Sequence, residues 1–281
     1  MVIPAYNEEQ GIGKVLEDLK ERLKELDIPR EFIVVDDGST DGTKEVLGTI
    51  ESIRVIRHQR NMGYGAAIKT GMEEARYEWV GITDADGTYP NGKIPELLSA
   101  MGENDMVVGA RVGKGVSIPW VRRPAKWILS QLANYLAQQK IPDLNSGLRI
   151  FKKQAAECFL KILPDRFSFT TTITLAMLSN NYKVLFVPID YYPRTGKSKI
   201  RPLHDTMNFL QLIVRTILYF DPLRIFLPVG TGLLLTSTTL FILRQIRGGG
   251  FGVTIPMFLL AGIQVLAIGM LADLIDRRMK P

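Results

Sequence analysis

Over the first two hundred positions, short apolar runs alternate with longer stretches whose apolar residues recur at helical spacing. "MVIP" is followed by an amphipathic stretch from about Glu8 to Leu26, then by "EFIVVDD", a near-continuous apolar run of the kind buried in parallel sheets. The pattern continues with a helix opened by "STDGT", for which Thr40 or Asp41 is the expected N-cap. It runs on through a strand "SIRVIRH", a helix from about Gly65 to Arg76, a strand "EWVGIT", a helix near Ile94 to Met101 and a strand "DMVVGA". This alternation predicts an α/β fold, a doubly wound sheet with right-handed crossovers. In such sheets the ligand sits beyond the carboxyl ends of the strands, and four polar clusters fall there: "PAYNE", "DDGSTDG", "DADGTYP" and "GAR".

The C-terminal part follows a different pattern. No charge occurs from Ile225 to Leu243 or from Gly248 to Ala272, and each stretch is long enough to cross a hydrocarbon core of about 30 Å as a helix. Two such spans joined by "RQIRGGGFG" read as a transmembrane hairpin rather than a pair of buried core helices. Lys197, Lys199, Arg201, Arg215 and Arg224 precede the first span, and Arg277, Arg278 and Lys280 follow the second. Only Arg244 and Arg247 lie between them. The positive-inside rule then puts both the N-terminal part and the tail in the cytoplasm. Between the two parts, Met207, Leu210, Ile213, Val214, Ile217 and Leu218 recur at helical spacing, as in an amphipathic helix lying in the headgroup region. The expected organisation is 1–200 as a cytoplasmic catalytic domain, 201–223 as the interfacial helix and 224–281 as the hairpin with a short cytoplasmic tail.

With 281 residues, 46% of them hydrophobic and 23% charged, the chain is long enough for one α/β domain and this extra segment. The single cysteine, Cys158, allows no internal disulfide and suits a reducing compartment. His58 and His204 lie too far apart in sequence to suggest a site. No secretory leader precedes the first strand, which is short enough to suggest a truncated start.

Among the polar clusters, Asp84 and Asp86 are separated by one residue, so at a strand end both carboxylates can reach one hard cation and the phosphates attached to it. Asp-x-Asp-Gly is also ordinary turn chemistry, as is Asp36-Asp37-Gly38. No Gly-x-Gly-x-x-Gly or Walker sequence accompanies them, so neither a dinucleotide site nor a P-loop is supported.

Taken in order, "VIPAYNEE", "IVVDDGSTDGT", "RNMGYGAAIKTG", "TDADGTYP", "GAR", "DLNSGLRIF" and "RTGKSKI" resemble the family 2 inverting glycosyltransferases of the Rossmann-like GT-A fold. More narrowly, the set is similar to the polyprenyl-phosphate glycosyltransferases, the group of dolichol-phosphate mannose synthase and its bacterial glucosyl relatives. The resemblance implies that Pro4, Tyr6, Glu8, Val35 and Asp37 hold the base and ribose of a nucleotide-sugar, with Asp84 at its diphosphate. It makes Asp84 and Asp86 ligands of Mg2+ or Mn2+, with Thr88 beside them where many dolichol-phosphate mannose synthases carry a glutamine. It sets Arg111 near the transferred sugar and acceptor phosphate, Lys126 and Ser130 one helical turn apart on the acceptor phosphate, and Arg194, Ser198 and Lys199 over the diphosphates.

The implied partners are a nucleotide-sugar donor, a polyprenyl or dolichyl phosphate acceptor and the membrane. No nucleic acid is expected, and a homo-oligomer stays open. GDP and UDP donors, and mannose and glucose, are all compatible with these motifs. Two alternatives differ in readable ways. A transferase with a sugar hydroxyl acceptor needs a catalytic base and, in processive members, Gln-x-x-Arg-Trp, which none of Trp79, Trp120 and Trp127 completes. A non-catalytic membrane assembly partner would not need Asp84, Asp86, Arg111 and Arg194 together.

Overall fold

The computed structural model describes residues 1–112, 131, 133–135, 138–166, 168–192, 214, 218–219, 221–249 and 252–279, which fall into two compact units, Met1–Ile213 and Val214–Pro281. Lys126, Ser130, Arg194, Ser198, Lys199 and most of the expected interfacial helix lie outside the described residues.

The first unit is built on one seven-stranded sheet. Its strands are β1 (Val2–Ala5), β2 (Ile33–Asp36), β3 (Arg54–Arg57), β4 (Trp79–Ile82), β5 (Met106–Arg111), β6 (Arg149–Lys152) and β7 (Val184–Ile189), in the order β3-β2-β1-β4-β6-β5-β7. β1 pairs in parallel with β2 and β4, and Pro4 lies opposite Val35. β6 enters between β4 and β5 antiparallel to both, with Ile82 opposite Arg149, and β7 pairs in parallel with β5. The sheet is therefore mixed. The chain returns antiparallel across its centre immediately after "DLNSG".

Helices α1 (Ile12–Lys24), α2 (Thr43–Gly48), α3 (Tyr64–Glu73) and α4 (Ile94–Ser99) occupy the stretches the pattern predicts, trimmed by a few residues at their ends. α1 buries Ile12, Val15, Leu16, Leu19 and Leu23, a helical stripe that packs with Ile3, Ala5 and Val34 from one face of the sheet. α3 lies on β1 and β2, closely enough that a Cβ on Gly71 would meet Val2 Cγ1 at 2.3 Å. α2 has Gly42, not Thr40 or Asp41, at its N-cap position, but Asp41 Oδ1 still accepts the Thr43 N–H at 3.1 Å. α5 (Lys153–Glu157) follows β6, and α6 (Phe169–Ser179) is buried from Phe169 through Leu178. Four threonines on α6 are tolerated there because hydroxyls such as Thr174's donate to carbonyls one turn back.

The second unit is a pair of helices, α7 (Leu223–Ile246) and α8 (Thr254–Met279). Both are long and apolar enough to cross a membrane, and large side chains such as Leu235, Leu260 and Leu271 stand exposed along them. The helices approach through glycine: a Cβ on Gly230 would meet Leu266 Cγ at 2.6 Å, and one on Gly262 would meet Leu234 Cδ2 at 2.8 Å. Small residues at the contact and bulky ones facing outward are the arrangement expected when lipid is the solvent.

Candidate active site

The carboxyl ends of β1 and β2 carry the first part of the site. Asn7 adopts φ 57°, a left-handed conformation that asparagine tolerates better than most residues. This turns its backbone N–H to Ser39 Oγ at 3.0 Å, while its side-chain oxygen accepts the Thr40 N–H at 2.8 Å. Glu8 N–H donates to Thr43 Oγ1 at 2.9 Å, and Glu9 Oε2 accepts the Gly42 N–H at 2.8 Å. The two loops are thereby tied into one rim. With Asp86 they line a cleft of about 230 Å3 formed by Asn7, Glu8, Glu9, Gln10, Gly11 and Asp41. Tyr6 is exposed beside this rim, whereas Pro4 and Val35 are buried within the sheet.

Asp36 and Asp37 are both buried. Asp36 Oδ1 accepts the Ser39 N–H at 2.9 Å, and Arg57 Nε lies 3.2 Å from Oδ2 without the alignment of a hydrogen bond. Asp37 closes the turn before α3. It accepts the Met62 N–H on Oδ1 and the Gly63 N–H on Oδ2, both at 2.8 Å, and faces His58 Nδ1 at 2.7 Å. His58 Nε2 in turn meets Thr70 Oγ1 at 3.0 Å. Asp37, expected at the base and ribose, thus anchors the 58–63 loop, and His58 is its partner. The sequence offered no signal for that pairing.

The second part of the site surrounds the loop after β4. Asp84 accepts a hydrogen bond from the Tyr64 hydroxyl at 2.9 Å, and Gly147 lies so close that a Cβ there would meet Asp84 Oδ1 at 2.7 Å. Asp86 Oδ1 accepts both the Thr88 N–H at 3.1 Å and the Thr88 hydroxyl at 2.7 Å, across a turn that Gly87 makes at φ +71°. Thr88 is fully buried and holds Asp86 by this bond. Among the described residues no group of three or more His, Cys, Asp or Glu side chains could hold a metal by itself. The donor set nevertheless fits Mg2+ or Mn2+: two hard carboxylates one residue apart, with a glycine cradle beside Asp84, suit an ion that completes its shell with phosphate oxygens and water.

Arg111, at the end of β5, forms a bidentate pair with Asp143, Nε to Oδ2 at 2.6 Å and Nη2 to Oδ1 at 2.9 Å, and its guanidinium lies 5.1 Å from the centre of the Tyr191 ring. Burial works to lower the Arg111 pKa, but the Asp143 hydrogen bonds and charge outweigh it and the net shift is upward. Burial likewise works to raise Asp143, and the Arg111 bonds and charge hold it below the ordinary carboxylate value. Asp143 belongs to the segment "DLNSGLRIF" but carried no expected role. Its type and place in a motif were readable, while its pairing across the sheet was not.

Behind this layer sits Arg149, fully buried, whose guanidinium donates to Ser146 O, to Thr170 O at 3.0 Å and to Thr174 Oγ1 at 3.0 Å. Burial pulls its pKa down to about 10, so it is charged at neutral pH. By gripping Ser146 O it fixes the strand entry that carries Gly147, whose N–H donates to Tyr89 Oη at 2.7 Å. Burial, then the Asp84 charge, raise the pKa of the Tyr89 hydroxyl, and the Arg111 charge opposes them.

Residues 1–160 match the family described as Glycosyl transferase family 2, and residues 221–277 match the one described as GtrB C-terminal hairpin. The chain is 31% identical over 204 residues to a dolichyl-phosphate hexose transferase of Haloferax volcanii, covering 72% of this chain and 86% of that one. It is 29% identical over 299 residues to an undecaprenyl-phosphate 4-deoxy-4-formamido-L-arabinose transferase of Proteus mirabilis, covering 99% and 88%. Glucosyl-3-phosphoglycerate synthase from Mycobacterium tuberculosis, solved with Mn2+, UDP-glucose and phosphoglyceric acid, superposes with a TM-score of 0.59 at 18% identity, over 77% of this chain and 78% of that one. The sheet and these matches agree, and the chain belongs to glycosyl transferase family 2, with a GT-A domain followed by two apolar helices that could span a membrane.

Proposed function

We propose that the protein is an inverting hexosyltransferase that moves mannose or glucose from a GDP- or UDP-linked donor to a polyprenyl or dolichyl phosphate at the cytoplasmic face of a membrane. The observation that carries this reading is the combination, in one chain, of Asp84, Asp86 and Arg111 at the carboxyl ends of β4 and β5 with a hairpin that could lie in lipid. The two relatives named for undecaprenyl and dolichyl phosphate transfer support the choice of acceptor. Residues 201–223, most of which lie outside the described residues, are the membrane-surface segment in this proposal.

The chemistry asks little of a base. The second pKa of a phosphate monoester is near 6, so the acceptor is largely dianionic at pH 7 and already a nucleophile. What the site must do is hold two anionic groups together. A divalent cation bound by Asp84 and Asp86, with Thr88 beside them, would supply Lewis-acid neutralisation of the diphosphate leaving group. Arg111 and Asp143 together carry no net charge, so Arg111 orients a phosphate or sugar more than it neutralises one. The balance of positive charge falls to Lys126, Arg194 and Lys199, with Ser130 and Ser198 as neutral donors. Pro4, Tyr6, Glu8, Val35 and Asp37 form the base and ribose end, where Asp37 contributes by holding the loop at 58–63.

The test is a donor screen. Full-length protein given polyprenyl phosphate and each of GDP-mannose, GDP-glucose and UDP-glucose should yield one glycosylated lipid by mass spectrometry. Label appearing only in polysaccharide would replace the lipid phosphate with a sugar hydroxyl as the acceptor.

A further inference from the structure

Tyr64 belongs to "RNMGYGAAIKTG", a segment whose residues had no expected role, and it is the first residue of α3. The chain on either side of it is clamped. Gly63, at φ +112°, would place a Cβ 2.4 Å from Asp165 O, and a Cβ on Gly65 would fall 2.1 Å from Pro164 O. No other residue fits at either position without moving that backbone. Asp37 holds the approach through the Met62 and Gly63 N–H groups. A backbone fixed this firmly fixes the direction of the side chain between the two glycines, and the hydroxyl of that side chain ends 2.9 Å from Asp84 Oδ1.

We infer that Tyr64 is the positioning residue for Asp84: its hydroxyl, held by the Gly63–Gly65 clamp, orients the Asp84 carboxylate against Gly147 for the divalent cation and diphosphate. This rests on the reading of Asp84 as their ligand. Ring packing alone would be served as well by phenylalanine, so the hydroxyl is the atom that discriminates. A tyrosine hydroxyl ordinarily ionises only at about pH 10, so the group is a neutral donor in the working pH range. Hydroxyl or amide partners that orient a ligating carboxylate typically change metal affinity by about 10- to 100-fold when removed.

The test is Mn2+ titrated into the full-length protein in detergent micelles with saturating GDP or UDP, the free ion being counted by its electron paramagnetic resonance signal. Tyr64→Phe should weaken Mn2+ binding about 10-fold with an unchanged melting temperature. Gly147→Ala, which pushes a methyl group against the Asp84 carboxylate, should weaken it as well. Asp84→Ala is the control that separates the two levels. If Asp84→Ala loses Mn2+ while Tyr64→Phe binds like the wild type, the positioning role is wrong and the ligand role stands. If Asp84→Ala binds like the wild type, the ligand reading falls and the inference falls with it.

Discussion

The two ends of the carboxyl edge use carboxylates in opposite ways. At the ends of β1 and β2, Asp36, Asp37 and Asp41 all accept backbone N–H groups, and neutral groups from Asn7, Ser39 and Thr43 complete the rim. At the ends of β4 and β5, Asp84 accepts the Tyr64 hydroxyl, Asp86 accepts the Thr88 N–H and hydroxyl as Asp41 does those of Thr43, and charge is balanced side chain to side chain between Arg111 and Asp143. A carboxylate that closes a turn stabilises the loop that bears it, whereas one oriented by a hydroxyl from a distant element, as Asp84 is by Tyr64, is set up to meet something else. The acids of the first end should therefore report mainly in stability and those of the second mainly in activity.

The largest effect is expected at the acid pair. Asp84→Ala or Asp86→Ala should lower sugar transfer by about 1,000-fold, the scale on which one preorganised electrostatic group acts, and leave the melting temperature close to wild type. EDTA should do the same to the unmodified protein. Near-normal transfer with EDTA present would remove the metal from the proposal and leave Asp84 and Asp86 as turn residues like Asp41.

Asp143→Ala crosses the division, because it strands a buried arginine at the catalytic end. Removing one partner of a largely buried ion pair should cost about 3 kcal/mol of stability and reduce transfer through a displaced Arg111. The pair also has a pH signature. Asp143 is held below the ordinary carboxylate value, so its contribution is complete above about pH 4 and is lost as the pH falls through the depressed folded value. Thermal melts from pH 6 downward should show this acid loss in the wild type, and Asp143→Asn should flatten it. An identical acid profile in the variant would show that the pair does not govern acid stability.

Asp37→Asn tests the first end. It keeps one acceptor but sets an amide against Met62 N–H, Gly63 N–H or His58, at a cost of about 1–2 kcal/mol. Faster amide exchange over 58–63 should accompany this, with a smaller loss of transfer than Asp84→Ala gives. A full loss of transfer in a stably folded Asp37→Asn protein would move Asp37 from anchoring the loop to direct contact with the donor.

Much of this was legible in the sequence, for physical reasons that also mark where legibility stops. The alternation of apolar runs located β1 to β5 and α1 to α4, because strands such as β1 and β2 are short apolar runs buried at every position and helices such as α1 carry a one-sided apolar stripe. α6 is buried from Phe169 through Leu178 and has no period to read, and β6 is only the four residues "RIFK". The acid pair could be placed at a strand end from its neighbours alone. Asp143 could not be paired with Arg111, nor Tyr64 with Asp84, because those contacts join positions 32 and 20 residues apart that only the folded sheet brings together. Asp37 shows the converse limit: a carboxylate in a recognisable motif reads the same whether it faces a ligand or two backbone N–H groups.

Thr88 is the finest test of the difference between the ends, since it is fully buried with its hydroxyl on Asp86. Thr88→Val keeps the shape and the backbone N–H bond to Asp86 while deleting the hydroxyl, and should lower transfer about 10-fold. Thr88→Ser restores the hydroxyl and should recover most of that loss. If the hydroxyl only orients Asp86, the relative rates with Mg2+ and Mn2+ should be the same in Thr88→Val as in the wild type, because the atoms on the ion have not changed. A shift in that ratio would make the Thr88 oxygen a ligand.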